Sequence, residues 1–197
     1  MIDKLIEYDH RLFIWLNGFH APWLDPVMLY VSETWVWLPL HAVLIYLIFK
    51  DFSKHGWLVL FAVAVTLTMS DQVTTNIMKP YFARLRPTHD PTLESIVHIV
   101  DGYRGGQFGF ASSHAANTFA LATFFFLLFR KSYKWIAFLF AWAALVAYSR
   151  VYLGVHFPGD ILVGGMVGAI AAFIGFHLFR IIRNRTGINQ NSPPASE

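Results

Sequence analysis

The chain has 197 residues, of which 56% are hydrophobic, 17% aromatic and only 14% charged. Soluble domains carry roughly a quarter charged residues, so this balance excludes an ordinary water-soluble globule and indicates a membrane protein. The net charge of +3 is small and cysteine is absent, which excludes disulfides and thiolate metal sites; nothing here calls for a nucleic-acid partner.

Residues 2–19 place Ile2, Leu5, Ile6, Leu12, Phe13 and Leu16 at three-and-four spacing, with Asp3, Lys4, Glu7, Asp9 and Arg11 on the other face. This pattern predicts an amphipathic helix in the membrane interface over about residues 1–20, too charged to span; a helix packed on the protein's own surface is the alternative. The early acidic residues, with no apolar run directly behind them, do not fit a signal peptide. Asn17-Gly18 and Pro22 break the pattern, and Trp23, Trp35 and Trp37 place the next stretch at headgroup level.

Spanning segments are predicted at 25–50, 57–79, 113–130, 134–152 and 158–181, each near the ~20 residues that cross ~30 Å of hydrocarbon. The expected fold is therefore all-α, a polytopic membrane bundle of about five spanning helices forming one domain over 1–185. Lys50, Lys54, Arg130, Lys131, Lys134, Arg180, Arg183 and Arg185 gather at one set of helix ends, which the positive-inside rule assigns to the cytoplasm. Residues 80–110, with Pro87, Pro91, Gly102, Gly105, Gly106 and Gly109, are too long for a helix turn and read as an outer loop able to cover a binding site. Residues 186–197, ending SPPASE, read as a disordered cytoplasmic tail.

Three segments meet on the predicted outer face. KPYFARLRP, residues 79–87, brings Lys79, Arg84 and Arg86 within eight positions, enough cations to neutralise a dianion, or else snorkelling anchors at a helix end. GFASSHAAN, residues 109–117, opens the third span with Ser112 or Ser113 as N-cap, so that free backbone amides and a hydroxyl face a would-be phosphate. His114 lies in that first turn, where it can protonate a leaving oxygen; a plain capped helix is the alternative. SRVYLGVHFPGD, residues 149–160, sets Arg150 to grip phosphate oxygens, His156 to attack and Asp160 to orient the imidazole, unless Arg150 snorkels and His156 merely caps a helix.

Together the segments resemble the signature of the type-2 phosphatidic acid phosphatase and vanadium haloperoxidase superfamily, in its membrane lipid phosphatase branch. That signature is a lysine, six residues and Arg-Pro; then Pro-Ser-Gly-His; then Ser-Arg, five residues, His, three residues and Asp. Lys79, Arg86 and Pro87 fit the first element, Ser112 and His114 the second, and Ser149, Arg150, His156 and Asp160 the third. Ala111 and Ser113 depart from the family proline and glycine.

The resemblance implies that His156 attacks phosphorus to form a phosphohistidine, that Asp160 fixes its tautomer and that His114 protonates the leaving group. Lys79, Arg86, Ser112, Ser113 and Arg150 would surround the phosphate oxygens, with no metal and no cofactor. The implied partners are the bilayer and a lipid phosphate: undecaprenyl pyrophosphate first, with phosphatidylglycerol phosphate, phosphatidic acid and lipid A as alternatives, hydrolysed on the periplasmic face of a bacterial-type inner membrane. Phosphoryl transfer between lipids, halide oxidation and a non-catalytic scaffold or transporter are the competing functions; oligomeric state is not legible in the sequence. Asp71 reads as a lining of the substrate path or as a partner of a neighbouring helix, and Arg104 as a substrate contact or a solvated loop residue. Glu33 has no assigned role, and His41, His55 and His177 read as structural or interfacial.

Overall fold

Long runs of Leu, Phe, Val and Ala build the helices, and clusters of Pro, Gly and polar residues end them. A computed structural model describes residues 2–185, so the predicted tail lies outside the described residues. Its α-helices are α1 (Ile2–Asn17), α2 (Asp25–Ser32), α3 (Leu38–Phe52), α4 (Gly56–Gln72), α5 (Lys79–Phe82), α6 (Ser113–Phe129), α7 (Phe138–Tyr152) and α8 (Pro158–Arg185). A π-helical segment, Val73–Met78, joins α4 to α5. No strand forms among the described residues; Leu85 and Phe108 make an isolated antiparallel bridge.

Three helical stretches are long and apolar enough to cross a membrane: Thr34–Phe82, Lys134–Tyr152 and Pro158–Arg185, with mean hydropathies of 1.4, 1.4 and 2.1. The shorter apolar helix Ser113–Phe129 packs among them. The 49-residue stretch is not one rod, because Ser53 takes a positive φ of 47° and α3 folds back against α4. Its first arm starts later than predicted. Glu33 is extended (φ −80°, ψ 131°) and separates α2 from the arm. Helix α2 packs on α7, with Met28 buried beside Tyr152, Leu153 and Val155, so residues 25–32 cover the site end of the bundle. Hydrophobicity alone merged these eight residues with the span behind them.

Small residues set the tightest packing. A Cβ built on Gly164 would stand 2.4 Å from the Ser112 carbonyl oxygen, and one on Gly168 would stand 1.9 Å from that of Ala116. Helices α6 and α8 therefore touch backbone to backbone, as small-residue stripes permit in membranes. On the opposite side of α8, Leu162, Met166, Ile170 and Phe173 are exposed, as lipid-facing side chains must be in a bundle that turns its glycines inward. The core joins Leu44, Ile48 and Phe52 to Phe124, Phe129, Ile136 and Phe179. At the end away from the site, Tyr133 donates its hydroxyl proton to Asp51 at 2.8 Å, with the Lys50 ammonium 5.6 Å from the Tyr133 ring centre.

Helix α1 docks on α7 and α8, burying Phe13 and Asn17. The Asn17 amide donates to the carbonyl oxygens of Tyr152 (2.8 Å) and Val151 (3.2 Å) and accepts from the His98 amide (2.8 Å). Leu5, Tyr8, Leu12 and Trp15 stay exposed along another stripe. The helix thus has two apolar faces, one docked and one turned outward, where the sequence pattern suggested one.

Candidate active site

The site begins where α7 ends. Gly154, at φ +71°, reverses the chain, and a Cβ there would meet Val97 at 2.8 Å and the His98 carbonyl oxygen at 3.0 Å, so only glycine fits the turn. The reversal sets His156 against the first turn of α8, where Asp160 is fully buried. His156 Nδ1 lies 3.3 Å from Asp160 Oδ2, which also accepts from the Phe157 amide at 3.0 Å. Asp160 Oδ1 accepts from Arg84 Nη1 at 2.8 Å. Because that carboxylate meets donors on both oxygens, it assigns the imidazole proton to Nδ1 and leaves the Nε2 lone pair free. Burial, then the positive charges of Arg86, Arg150 and Lys79, push the His156 pKa well below its ordinary 6.5, against a backbone hydrogen bond to Gly109 that favours the protonated ring. The ring is neutral, as a nucleophile requires.

Cations enclose this pair. Arg150 is buried at 2% exposure; its Nη1 donates to Ser32 Oγ and its Nη2 to Tyr103 Oη at 2.8 Å. Arg86 donates from Nε to the Phe108 carbonyl oxygen at 3.1 Å. Arg86 Nη1 and Arg150 Nε are buried without a hydrogen-bond partner among the described residues. Lys79 donates to Ser113 Oγ at 2.7 Å, and that hydroxyl also meets Thr75 Oγ1 at 2.9 Å, so the π-helical segment and the start of α6 share one polar joint. Ser112 is the fully buried N-cap of α6, its Oγ accepting from the Ala115 amide at 3.4 Å. His114 follows in the first turn, near enough to Arg150, Arg86 and Lys79 to feel their charges. All eight residues singled out by the motifs therefore converge at one end of the bundle: Lys79, Arg86, Ser112, Ser113, His114, Arg150, His156 and Asp160.

Arg84 stands apart from the other cations of its segment. Instead of joining the phosphate cations, it lies over the Phe157 ring at 4.0 Å, with Nη1 on Asp160 Oδ1 and Nη2 on Asp9 Oδ2 at 2.7 Å. Asp9 also accepts from the Gly159 amide through Oδ1 at 2.7 Å, so the first helix reaches the reaction centre; its amphipathic pattern gave no sign of that. Ser32 and Tyr103 were likewise missed, since their partner Arg150 lies 118 and 47 positions away. Gly109, which ends the loop and opens the GFASSHAAN segment, is also part of the site: a Cβ there would stand 3.0 Å from Asp160 Oδ2 and 3.2 Å from Arg86 Cγ. Exposed Arg104 is tied within the loop, its Nη1 donating to the Thr88 carbonyl oxygen at 3.2 Å. Asp71 accepts from Asn117 Nδ2 at 3.3 Å, the contact with a neighbouring helix, and it also lines a cavity beside His114. Glu33 sits exposed at the break before the first arm. No group of three or more His, Cys, Asp or Glu residues among those described is placed to hold a metal ion.

A helical membrane bundle with a neutral buried imidazole, an orienting carboxylate and three surrounding cations defines a phosphoryl-transfer centre. Residues 55–184 match the PAP2 superfamily, and the chain belongs to it as an integral membrane lipid phosphatase. It is 37% identical over 181 residues to the lipid A 4'-phosphatase of Bacteroides thetaiotaomicron, covering 90% of this chain and 80% of that protein. Identity to the lipid A 4'-phosphatase of Porphyromonas gingivalis is 37% over 186 residues, covering 93% and 78%. The crystal structure of Aquifex aeolicus LpxE is similar at a TM-score of 0.66 and 26% identity, covering 85% of this chain and 93% of that one.

Proposed function

We propose that this phosphatase hydrolyses the phosphomonoester of a lipid A-type saccharide lipid through a phosphohistidine on His156, at the periplasmic face of a bacterial-type inner membrane. The Nε2 lone pair of His156 attacks phosphorus, the bond to the leaving oxygen breaks, and His114 gives that oxygen its proton. Asp160 keeps the attacking ring in the Nδ1–H tautomer and matches the positive charge it gains. Lys79, Arg86, Arg150 and the Ser112–Ser113 turn take the equatorial oxygens, where charge is spread in the transition state. Water, deprotonated by His114, then attacks the phosphohistidine and releases inorganic phosphate with both imidazoles restored. The route draws its positive charge from side chains and calls on no metal or cofactor.

One observation carries this reading: Arg86 Nη1 and Arg150 Nε are buried donors, unpartnered among the described residues, on guanidinium groups whose charge helps to hold the His156 imidazole neutral. Buried guanidinium N–H groups are costly to leave unmet, and a phosphate supplies acceptors in the geometry they favour. The outward orientation rests on Lys50, Lys54, Arg130, Lys131 and Lys134 at the opposite helix ends. The 37% relatives favour a saccharide phosphate over undecaprenyl pyrophosphate, phosphatidylglycerol phosphate and phosphatidic acid.

The test is a phosphate-release panel on those four lipids with purified protein, together with an alkaline quench and mass spectrometry of the His156 peptide. Free phosphate, fastest from lipid A, and a phosphate adduct on His156 are expected. Ordinary turnover by His156→Ala would remove the nucleophile assignment, and phosphate appearing on a second lipid would make the enzyme a transferase.

A further inference from the structure

A cavity of about 430 Å³ lies beside His114, between α3, α4, α6 and α7. Its size suits a small ligand. His114 and Ser113 are in its wall but His156 is not, so it lies on the side of the proposed acid and away from the nucleophile. Among the described residues no lysine or arginine lines it, and Asp71 is the one carboxylate that does. Lys79 and Arg86 line a separate cleft of about 440 Å³ with Asn76 and Gln107, and Arg150 and Lys79 meet the cavity wall only from behind, through Ser32 and Ser113.

Two residues of the cavity wall carry buried polar atoms without a partner among the described residues. Trp142, only 9% exposed, has a buried Nε1–H with no partner among the described residues. Asn117 donates its amide to Asp71, which fixes the orientation of the group, and its Oδ1 is left buried and unpartnered. Unmet buried donors and acceptors are rare, and each asks for a ligand or another cause. A donor from Trp142 and acceptors from Asn117 and Asp71 suit hydroxyl groups, which both give and take hydrogen bonds. Leu67, Leu121 and Val146 add apolar wall for lipid carbon.

Resting on the phosphatase reading above, we infer that this cavity is the leaving-group subsite, built for a hydroxyl-bearing sugar ring and against a second phosphate. In hydrolysis of a diphosphate the departing group is itself a phosphate, and it would enter a chamber lined by Asp71 and by none of the described lysines or arginines. Repulsion at a few ångströms in a partly screened site amounts to a factor on the order of ten or more per charge pair. In hydrolysis of a sugar phosphate the departing oxygen belongs to a neutral ring, whose hydroxyl groups answer Trp142, Asn117 and Asp71. Asp71, Asn117 and Trp142 therefore set specificity by the charge of what leaves.

The test compares kcat/KM for 4'-phosphorylated lipid A, farnesyl diphosphate and para-nitrophenyl phosphate in wild type, Asp71→Asn and Trp142→Phe. Asp71→Asn removes the charge but keeps an acceptor, and the diphosphate-to-lipid A ratio of kcat/KM is expected to rise about tenfold. Any effect acting through Lys79 falls on all substrates and cancels in that ratio. Trp142→Phe keeps the ring but loses the donor, and the lipid A-to-aryl phosphate ratio is expected to fall about five- to tenfold. Unchanged ratios in both variants, with wild-type hydrolysis of the aryl phosphate intact, would overturn the subsite alone. A wild-type protein that cleaves none of the three would overturn the phosphatase reading and the subsite with it.

Discussion

Asp9 sits 151 positions before Asp160, yet it holds Arg84, one of the groups that fix that carboxylate, and the amide of the residue next to it. Its Oδ2 accepts from Arg84 Nη2 and its Oδ1 from the Gly159 amide, both at 2.7 Å, and Arg84 carries the link onward to Asp160 Oδ1 at 2.8 Å. Asp9→Asn keeps an acceptor for Gly159 but strips the charge that faces Arg84. A charge-assisted hydrogen bond contributes about 1.5–3 kcal/mol. With the partners 22% and 15% exposed, solvent screening reduces this to about 1 kcal/mol of stability. The catalytic effect is separate. Loss of the orienting carboxylate of a triad costs ~10⁴ in rate, but here Asp160 itself remains and keeps its bonds to the Phe157 amide and His156. One link removed, kcat is expected to fall about tenfold, with KM within about twofold because no phosphate contact runs through Asp9. Asp9→Glu, which restores the charge, should recover part of kcat. Steady-state phosphate release in nanodiscs, with a thermal melt on each variant, separates the cases. A lower Tm with unchanged kcat would reduce α1 to packing and refute the positioning role.

Acid should destabilise the protein through His156. Its folded pKa lies well below 6.5 while the unfolded ring protonates near 6.5, so the unfolded state binds the extra proton as pH falls. This part of the stability is present above about pH 6.5 and is lost below it by up to ~1.4 kcal/mol per pH unit. Melts from about pH 7.5 to 5 should show that slope shrinking in His156→Gln; an identical slope would contradict the buried neutral ring. Tyr103→Phe removes the acceptor of Arg150 Nη2 and should lower kcat/KM about tenfold, and an unaffected enzyme would mean that the loop does not hold this arginine. Gly168→Ala drives a methyl group into the Ala116 carbonyl oxygen, forcing α6 and α8 apart at a cost of about 1–3 kcal/mol or more. Gly106→Ala, where a Cβ meets nothing within 4 Å, should melt close to wild type; equal Tm values for the two would show that the helix contact is looser than its geometry.

The site was legible where chemistry is carried by spacing along a helix end. Lys79, Ser112, His114, Arg150 and Asp160 each fall within a turn of a helix terminus, so the alternation of spans brings them to one face before any tertiary contact is known. His156 follows from the short turn that must join α7 to α8. What the sequence hid depends on distant partners. The signature picks out Arg86 in KPYFARLRP and is silent on Arg84, whose place depends on Asp9, 75 positions earlier, and on Asp160 Oδ1. The start of the first span was misjudged for a different reason. Met28, Leu29, Tyr30 and Val31 are as apolar as a span, and hydropathy does not register the extended backbone at Glu33 that turns them into a cover.

The charges of the site explain why so many neutral groups surround it. Lys79, Arg86 and Arg150 all bring their charge to bear on His156, and the buried carboxylate beside that ring, Asp160, is already matched by Arg84. Such a cluster is unfavourable alone, because each guanidinium or ammonium loses water and repels the others. Ser32, Tyr103, the Phe108 carbonyl and Ser113 restore part of the lost hydrogen bonding without cancelling the charge. Carboxylates in their place would stabilise the empty protein better, but they would compete with phosphate for the same donors. The neutral partners leave the positive field uncancelled, so that a phosphoryl group, gathering negative charge on its equatorial oxygens, meets donors already aimed and already dehydrated. The stability forgone in the free protein is thus the source of its preference for the transition state.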